Sequence, residues 1–457
     1  MRPRPAARTM ALMLHTTSDE VPVLIVGAGP AGLAAALELA RHDIPFMLAE
    51  RRTELSSHPR ATVLSLRAME LIRAWGLQAA VLAHGVAVEP TLLETGTLAT
   101  AAASGIAHEV GYPTAAQSRL ISPVAPACVA QDDLEPALLG GLPAERVALG
   151  TELTGVRDGR ATLRDVRTGT TRTVRPRFVV GADGARSVVR AAAGIALRGP
   201  DAVLEGATTL VRAPLWDVIG DRRHLLYWVT NVEALFLPAG RGDRWLVGSA
   251  GTDARATIEL IRRAAGAPGL PVRVEAAGRF SSTAQIAERW RAGSVFLAGD
   301  AAHRVTPRGG TGLNLALQDG HELGWRLSWV LRGWAGAALL DGYEAERRPV
   351  AEQRAARSAD PDGSRVAAEH EVPIDIGGRI AHVWDRGRST LDLLSPGLTL
   401  LTAGEVAPPA TCAPVTVHRV SAVTARALGA PPGGAVLVRS DGARVAVLDA
   451  SAVRLAA

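Results

Sequence analysis

Apolar residues along the 457-residue chain follow three successive patterns. Residues 21–26 are continuously apolar, as in a strand buried on both faces of a parallel sheet. A turn follows, Gly27-Ala28-Gly29-Pro30-Ala31-Gly32, and then an alanine- and leucine-rich stretch, 33–41, that predicts a helix. Residues 44–48 predict a second strand, ending at Glu50. Together these make a βαβ unit. Helical spacing of Leu71, Ile72, Trp75 and Leu82 predicts a helix over about 67–83, and 129–139 predicts another with Gln131 near its start. Phe178-Val179-Val180 predicts a strand entering Gly181-Ala182-Asp183-Gly184. From about 194 to 289 the period shortens to two, in runs such as 224–237 and 245–249, which predicts antiparallel strands of a second domain. The first pattern then returns: an apolar strand over 295–298 and a long helix over 313–331. Residues 351–371 are charged and predict a helix running into a linker. Residues 372–457 are proline- and valine-rich and end in a hairpin, 435–438 with 444–448, around Asp441-Gly442.

The expected organisation is therefore α/β. A discontinuous Rossmann-like domain (21–83, 128–193 and 286–360) carries an inserted antiparallel domain (84–127 and 194–285). A small C-terminal module spans 372–457, and residues 1–20 are expected to be disordered.

Composition changes this picture little. The formal net charge is +5, and all 50 basic residues are arginine, because the chain has no lysine. Arginine lifts the isoelectric point without a large cationic excess. No basic run is interleaved with aromatics, which argues against a nucleic-acid partner. No apolar run is long enough for a membrane span. Neither Cys128 nor Cys412 sits in a metal-binding or redox CxxC spacing; both are expected as buried thiols in a reducing cytoplasm. No metal site is expected.

The chemistry lies in three motifs. In the first, Gly27 permits a tight turn, Gly29 lets a pyrophosphate approach the backbone, and Gly32 lets helix and strand pack closely. Pro30 and Ala31 open the helix, whose free N–H groups favour phosphate. Glu50 lies 18 residues beyond Gly32, the place for a carboxylate that accepts ribose hydroxyls, with Arg51 beside it. The second motif is VVGADGARSVVR, from Val179 to Arg190; taken alone, Asp183-Gly184 could be a plain turn. The third is GDAAHRVTPRGGTGLN, from Gly299 to Asn314. It sets a carboxylate, Asp300, at a strand end and the N–H groups of a helix start at Gly312-Leu313-Asn314. Such a pair suits a ligand with hydroxyls and a developing negative charge. Asp300 alone could cap a helix, and His303 is read as structural.

These three fingerprints resemble the flavin-dependent aromatic hydroxylases of the para-hydroxybenzoate hydroxylase type, over about residues 20–350. Residues 389–404 resemble the thioredoxin-like tail of the polyketide- and phenol-hydroxylase branch, here shortened. The resemblance implies FAD as cofactor and NAD(P)H as co-substrate. It implies that Arg60 and Gln131 contact FAD near the pyrophosphate and ribityl, and that Asp183 lies near its phosphates. It implies that Gly299 and Asp300 hold the ribityl, that Pro307 borders the flavin C4a position, and that Gly310 and Gly312 shape the ring end. The backbone N–H groups of Leu313 and Asn314 would face flavin N1 and O2.

The expected activity is a single-component monooxygenase that hydroxylates an aromatic or polyketide-type small molecule through a flavin C4a-hydroperoxide. Two alternatives stay open on the sequence. One is a non-redox cyclase of the [4+2] type that keeps FAD as a scaffold, and the other is a Baeyer–Villiger monooxygenase. Tyr227, Trp228 and Phe236 form a locally dense aromatic group that either roofs the flavin or packs the core.

Overall fold

The computed structural model describes residues 19–249 and 251–449. Residues 1–18 of the expected disordered N-terminus lie outside the described residues, as do residues 450–457 of the expected C-terminal module. The main sheet runs Arg291–Ala292, Val295–Leu297, Thr171–Gly181, Glu20–Val26, Phe46–Glu50, Val147–Leu149. All neighbours are parallel except the first pair. The parallel core explains the continuous apolar run: Val23, Leu24 and Ile25 are wholly buried, with structure on both faces.

One covering layer is the crossing of Pro30–Arg41 with the 20-residue helix Gly312–Leu331. A Cβ on Gly320 would lie 2.2 Å from the Ala31 carbonyl oxygen, and one on Gly324 would lie 2.5 Å from the Glu38 Cβ. Gly320 and Gly324 let the two helices nearly touch, and alanines on the opposing helix complete the contact.

Two expected helices are divided. The one over 67–83 is Leu66–Ala74 and Gln78–Leu82, broken at Gly76 with φ +77°. The charged stretch after Arg348 holds the end of Asp341–Ala359 and then a separate helix, Ala368–Ile376. The expected module boundary at 372 cuts through this last helix. Asp375 on it accepts from Ser65 Oγ (2.7 Å), Gln318 Nε2 (3.0 Å) and the Arg67 N–H (2.9 Å), so the helix is tied to the Rossmann-like part.

The second sheet has seven strands, in the order Arg273–Ser282, Leu204–Arg212, Arg244–Ser249, Ala234–Pro238, His224–Val229, Glu89–Thr95, Ile106–Glu109. It draws strands from both expected insertions. It is antiparallel throughout except where Glu89–Thr95 meets His224–Val229 in parallel, at the join between the two excursions of the chain.

The last sheet has four strands: Val415–Arg419, Leu398–Thr402, Ala435–Val438 and Arg444–Leu448. The expected hairpin is its end. The sheet packs on Trp325 and Trp329 of the long helix, and Trp329 donates to the Pro396 carbonyl at 2.9 Å. One acidic trio, Glu322, Glu346 and Asp441, meets at this junction, but Arg326 and Arg439 ion-pair with all three. It reads as a charged clasp between module and helices.

Cys128 is buried, and desolvation pushes its thiol up to about 12. Cys412 is exposed, contrary to expectation, because it sits in the irregular segment before Val415–Arg419. No helix among the described residues is long and apolar enough to cross a membrane.

Candidate active site

The glycine turn is built as its spacing requires. Gly27 has φ +103°, and a Cβ there would lie 2.4 Å from the Ala182 carbonyl oxygen and 3.0 Å from Asp183 Cα. The first and second motifs therefore meet backbone to backbone. A Cβ on Gly32 would lie 1.9 Å from the Gly27 carbonyl oxygen, so the helix seats directly on the turn. Gly29 differs: nothing lies within 4 Å of its Cβ position, and it is the N-cap of Pro30–Arg41 without any side-chain cap. That is open backbone at a helix start, the geometry a phosphate needs. Glu50 lies beside it; its carboxylate accepts from the Ala28 N–H and the Arg52 N–H, both at 2.9 Å, while Arg51 is exposed.

Asp183 lies next to this turn but is not a free carboxylate. One oxygen accepts from Ser187 Oγ at 2.5 Å, and the other from the N–H groups of Val188 (2.7 Å) and Val189 (3.1 Å). It caps the short helix Val188–Ala192 and fixes the shape of the turn. Arg190, which sequence reasoning did not single out, joins the motifs: it donates to the Ala185 carbonyl at 3.0 Å and to the Ala301 carbonyl at 3.1 Å.

At the far end, Gly299 (φ +59°) wedges between Ala31 and Ala316, and its N–H donates to the buried Asp319 carboxylate at 3.1 Å. His303 Nε2 bonds the same carboxylate at 2.5 Å, and Arg347 Nε donates to its other oxygen at 3.0 Å. His303 is thus a brace for the turn, as read from the sequence. Asp300 is solvent-accessible, yet the protein around it desolvates its carboxyl and pushes its pKa up; His303, Arg304 and Arg60 pull it partly back. An exposed side chain that is still desolvated sits in a concave site. Arg60, itself exposed, is brought within electrostatic reach of Asp300. Gln131 anchors this neighbourhood: its N–H donates to the Ala61 carbonyl at 2.8 Å, but its side chain is taken by Glu135 at 2.8 Å.

The segment after Asp300 curls into a short turn, Arg308–Gly310, with Pro307 exposed at its start. Gly310 has φ +63°, and its Cβ position lies 2.8 Å from Val63 Cγ1. The Tyr112 hydroxyl lies 3.1 Å from both the Gly309 and Gly310 carbonyl oxygens and locks the turn. Tyr112 is one of three tyrosines in the chain; no local pattern marked it. The helix Gly312–Leu331 then starts with no side-chain cap. Its first N–H groups, at Gly312, Leu313 and Asn314, have no acceptor within the helix. The Asn314 side chain is structural: it accepts from the Ser65 N–H at 2.8 Å and donates to the Gly310 carbonyl at 3.0 Å.

The aromatic group divides between the two faces of the sheet. Tyr227 and Phe236 are register partners, both wholly buried beside Trp245 under the helices Leu215–Ile219 and Ala254–Ala265. Of the two open readings, these two side chains take the core-packing one: period-two alternation puts them on the closed face. Trp228, half-buried, is on the other face, clustered with Leu226, Leu235, Tyr112 and Val63.

A family model for FAD binding domains matches residues 20–358. The chain belongs to the FAD-dependent aromatic hydroxylase and monooxygenase family. It is 32% identical to a putative polyketide hydroxylase of Streptomyces halstedii, with 93% of each chain covered. Among solved structures it resembles aklavinone-11 hydroxylase with FAD and aklavinone (TM-score 0.81, 28% identity, 95% of this chain and 97% of that one). It also resembles the flavin-dependent monooxygenase PieE with FAD and substrate (TM-score 0.81, 27% identity, 93% and 95%). FAD is the cofactor of this family, and the residues present fit it: open backbone at Gly29, an accessible carboxylate at Asp300, and an uncapped helix start at Gly312.

Proposed function

We propose that this flavoprotein monooxygenase hydroxylates an aromatic ring of a polyketide-type small molecule, with NAD(P)H as reductant, in the cytoplasm. The observation that carries the reading is the pairing of the uncapped helix start at Gly312 with the half-buried apolar sheet face around Trp228. One suits a ring that becomes anionic on reduction, and the other suits a flat apolar substrate. Bound FAD supplies the redox chemistry, taking hydride from NAD(P)H and activating O₂.

The chain supplies position and field. Gly27, Gly29, Pro30, Ala31 and Gly32 hold the pyrophosphate on the helix start, and Glu50 accepts the adenosine ribose hydroxyls. Arg60 and Gln131 flank the middle of the groove, and Gly299 presents Asp300 to a ribityl hydroxyl. Gly312, Leu313 and Asn314 would direct N–H groups at the pyrimidine edge of the flavin, and Gly310, whose own N–H donates to the Pro307 carbonyl at 3.1 Å, would shape the turn before them. Each such contact stabilises negative charge by about 0.3–1 kcal/mol, and more where water is excluded. Pro307 borders the reacting position, and Trp228 shields it from water. No side chain need act as nucleophile. We also read the four-stranded C-terminal sheet as a shortened thioredoxin-like module, since its parallel pair is followed by two antiparallel pairings.

The test supplies an aromatic polyketide, NAD(P)H and ¹⁸O₂. One labelled oxygen in a ring hydroxyl is the expected product. Turnover without NAD(P)H and without label would overturn the reading in favour of non-redox cyclisation, and label in a ring-expanded ester would point to Baeyer–Villiger chemistry.

A further inference from the structure

A small cavity of about 30 Å³ adjoins the turn Arg308–Gly310. That is room for two or three waters or one carboxylate, not for a fused ring. Its walls come from the turn and helix start (Gly309, Thr311, Asn314), from Tyr112, and from the helices Asp341–Ala359 and Ala368–Ile376. Apolar side chains Val110, Val350 and Ile374 complete them.

Two cations face this space. Arg354 and Arg357, one helical turn apart, are both mostly buried and share the single carboxylate of Glu371, Arg357 Nη1 at 2.6 Å. The other acid in the cavity wall, Asp375, has its oxygens occupied by Ser65, Gln318 and the Arg67 N–H. Asp375 acts on Arg354 only through space, and Glu371 is the one carboxylate that the two guanidinium groups touch. Burial, with Arg354 adding repulsion, lowers the Arg357 pKa to about 10. Two buried polar atoms, Arg357 Nη2 and Thr311 Oγ1, have no hydrogen-bond partner among the described residues. A buried donor left unmade is costly, and a cationic one more so. Two adjacent guanidinium groups, open donors and an apolar wall are together what an organic carboxylate needs.

We propose that this cavity is an anion subsite that receives an acidic oxygen group of the substrate, a carboxylate by preference, through Arg354, Arg357 and Thr311. It rests on the small-molecule monooxygenase reading and narrows the substrate to an acid whose apolar body extends beyond the cavity.

The FAD-loaded protein is titrated with 1-naphthoate, its neutral counterpart 1-naphthamide, and acetate, and the visible flavin spectrum is followed. Naphthoate is expected to perturb the spectrum and saturate at least tenfold below either control. Arg357→Met should weaken naphthoate at least tenfold and Thr311→Val about threefold, with FAD content unchanged. Glu371→Gln should tighten it, because the competing carboxylate is gone. That opposite sign keeps the test alive if Arg357→Met does not fold, and a purely structural ion network would not produce it. Equal binding of acid and amide, naphthoate affinity unmoved in Thr311→Val and Glu371→Gln, or acetate binding as tightly as naphthoate would overturn the subsite. None of these readouts needs turnover, so a failure here is separate from a failure of the ¹⁸O₂ experiment.

Discussion

The two ends of the FAD groove are built on opposite plans. At the nucleotide end the backbone is packed so closely that a single Cβ on Gly32 would lie 1.9 Å from a carbonyl oxygen. At the ring end polar groups are left open: Asp300 is accessible, and Gly312–Leu331 begins without a cap. In the proposed reading the first end recognises by shape, since a pyrophosphate needs only bare backbone at a fixed place. In the same reading the second recognises by charge, since a ring that changes charge needs donors that do not reorganise. Errors at the first end should be all-or-none, and those at the second graded.

The largest effect is expected from paired glycine substitutions. Gly32→Ala should abolish both FAD binding and the native melting transition, because the clash is with backbone and nothing can yield. Gly29→Ala should leave the apoprotein melt unchanged, because its Cβ position is open and its φ of −80° suits alanine. It should still lose FAD, because the methyl group occupies the phosphate's place. Thermal melts and FAD titration of the two apoproteins separate the cases. Equal behaviour would break the claim that Gly29 marks the ligand face and Gly32 the packing face.

The graded end is tested by Asp300→Asn. Losing one charge-assisted hydrogen bond costs about 1.5–3 kcal/mol, so FAD should bind about 10- to 100-fold more weakly, while the fold survives. The sign of the pH effect follows from the raised pKa of Asp300. As pH falls, this carboxylate takes up its proton before an ordinary aspartate does. The wild type should therefore begin to release FAD above the usual aspartate range, and Asp300→Asn should lack that step. Flavin release measured against pH checks both.

The same contrast explains which parts could be read from sequence. Gly27–Gly32 and Gly299–Asn314 were legible because their constraint is local and steric: few residues but glycine fit such turns, and the spacing carries the geometry. The hairpin at Asp441-Gly442 was legible through turn chemistry. Gly320 and Gly324 carried a signal that went unused, a glycine pair four residues apart in a helix facing an alanine-rich one. Arg190, Tyr112 and the Arg354–Arg357–Glu371 group were not legible. Each acts on residues 50 or more positions away or across a helix break, and nothing local distinguishes an arginine that bridges two motifs from one on the surface. Asp183-Gly184 could be a plain turn on sequence alone; its carboxylate caps Val188–Ala192 and its backbone abuts Gly27, which local sequence does not reveal. Alternation marked two faces on the strand His224–Val229 but not which face meets the flavin domain, because that depends on what covers the sheet.

The smallest effect comes from testing those two faces. Tyr227→Phe removes only a hydroxyl that accepts the His224 N–H at 2.7 Å inside the closed core. A buried donor left without its partner costs about 1–3 kcal/mol, so the melt should drop by a few degrees. The kcat/KM should not change, since the side chain is sealed beneath the sheet beside Trp216 and Trp245. Trp228→Leu should do the reverse. The side chain is half-buried and belongs to the same apolar cluster as Tyr112 and Val63, so its loss should raise KM severalfold and uncouple NAD(P)H oxidation from hydroxylation, with little change in melting. Peroxide release per NAD(P)H consumed is the direct readout, because water admitted to the ring end diverts the oxygen before transfer. If Tyr227→Phe uncouples and Trp228→Leu does not, the substrate lies on the other face of the sheet, and the apolar surface around Leu226, Trp228 and Leu235 is packing alone.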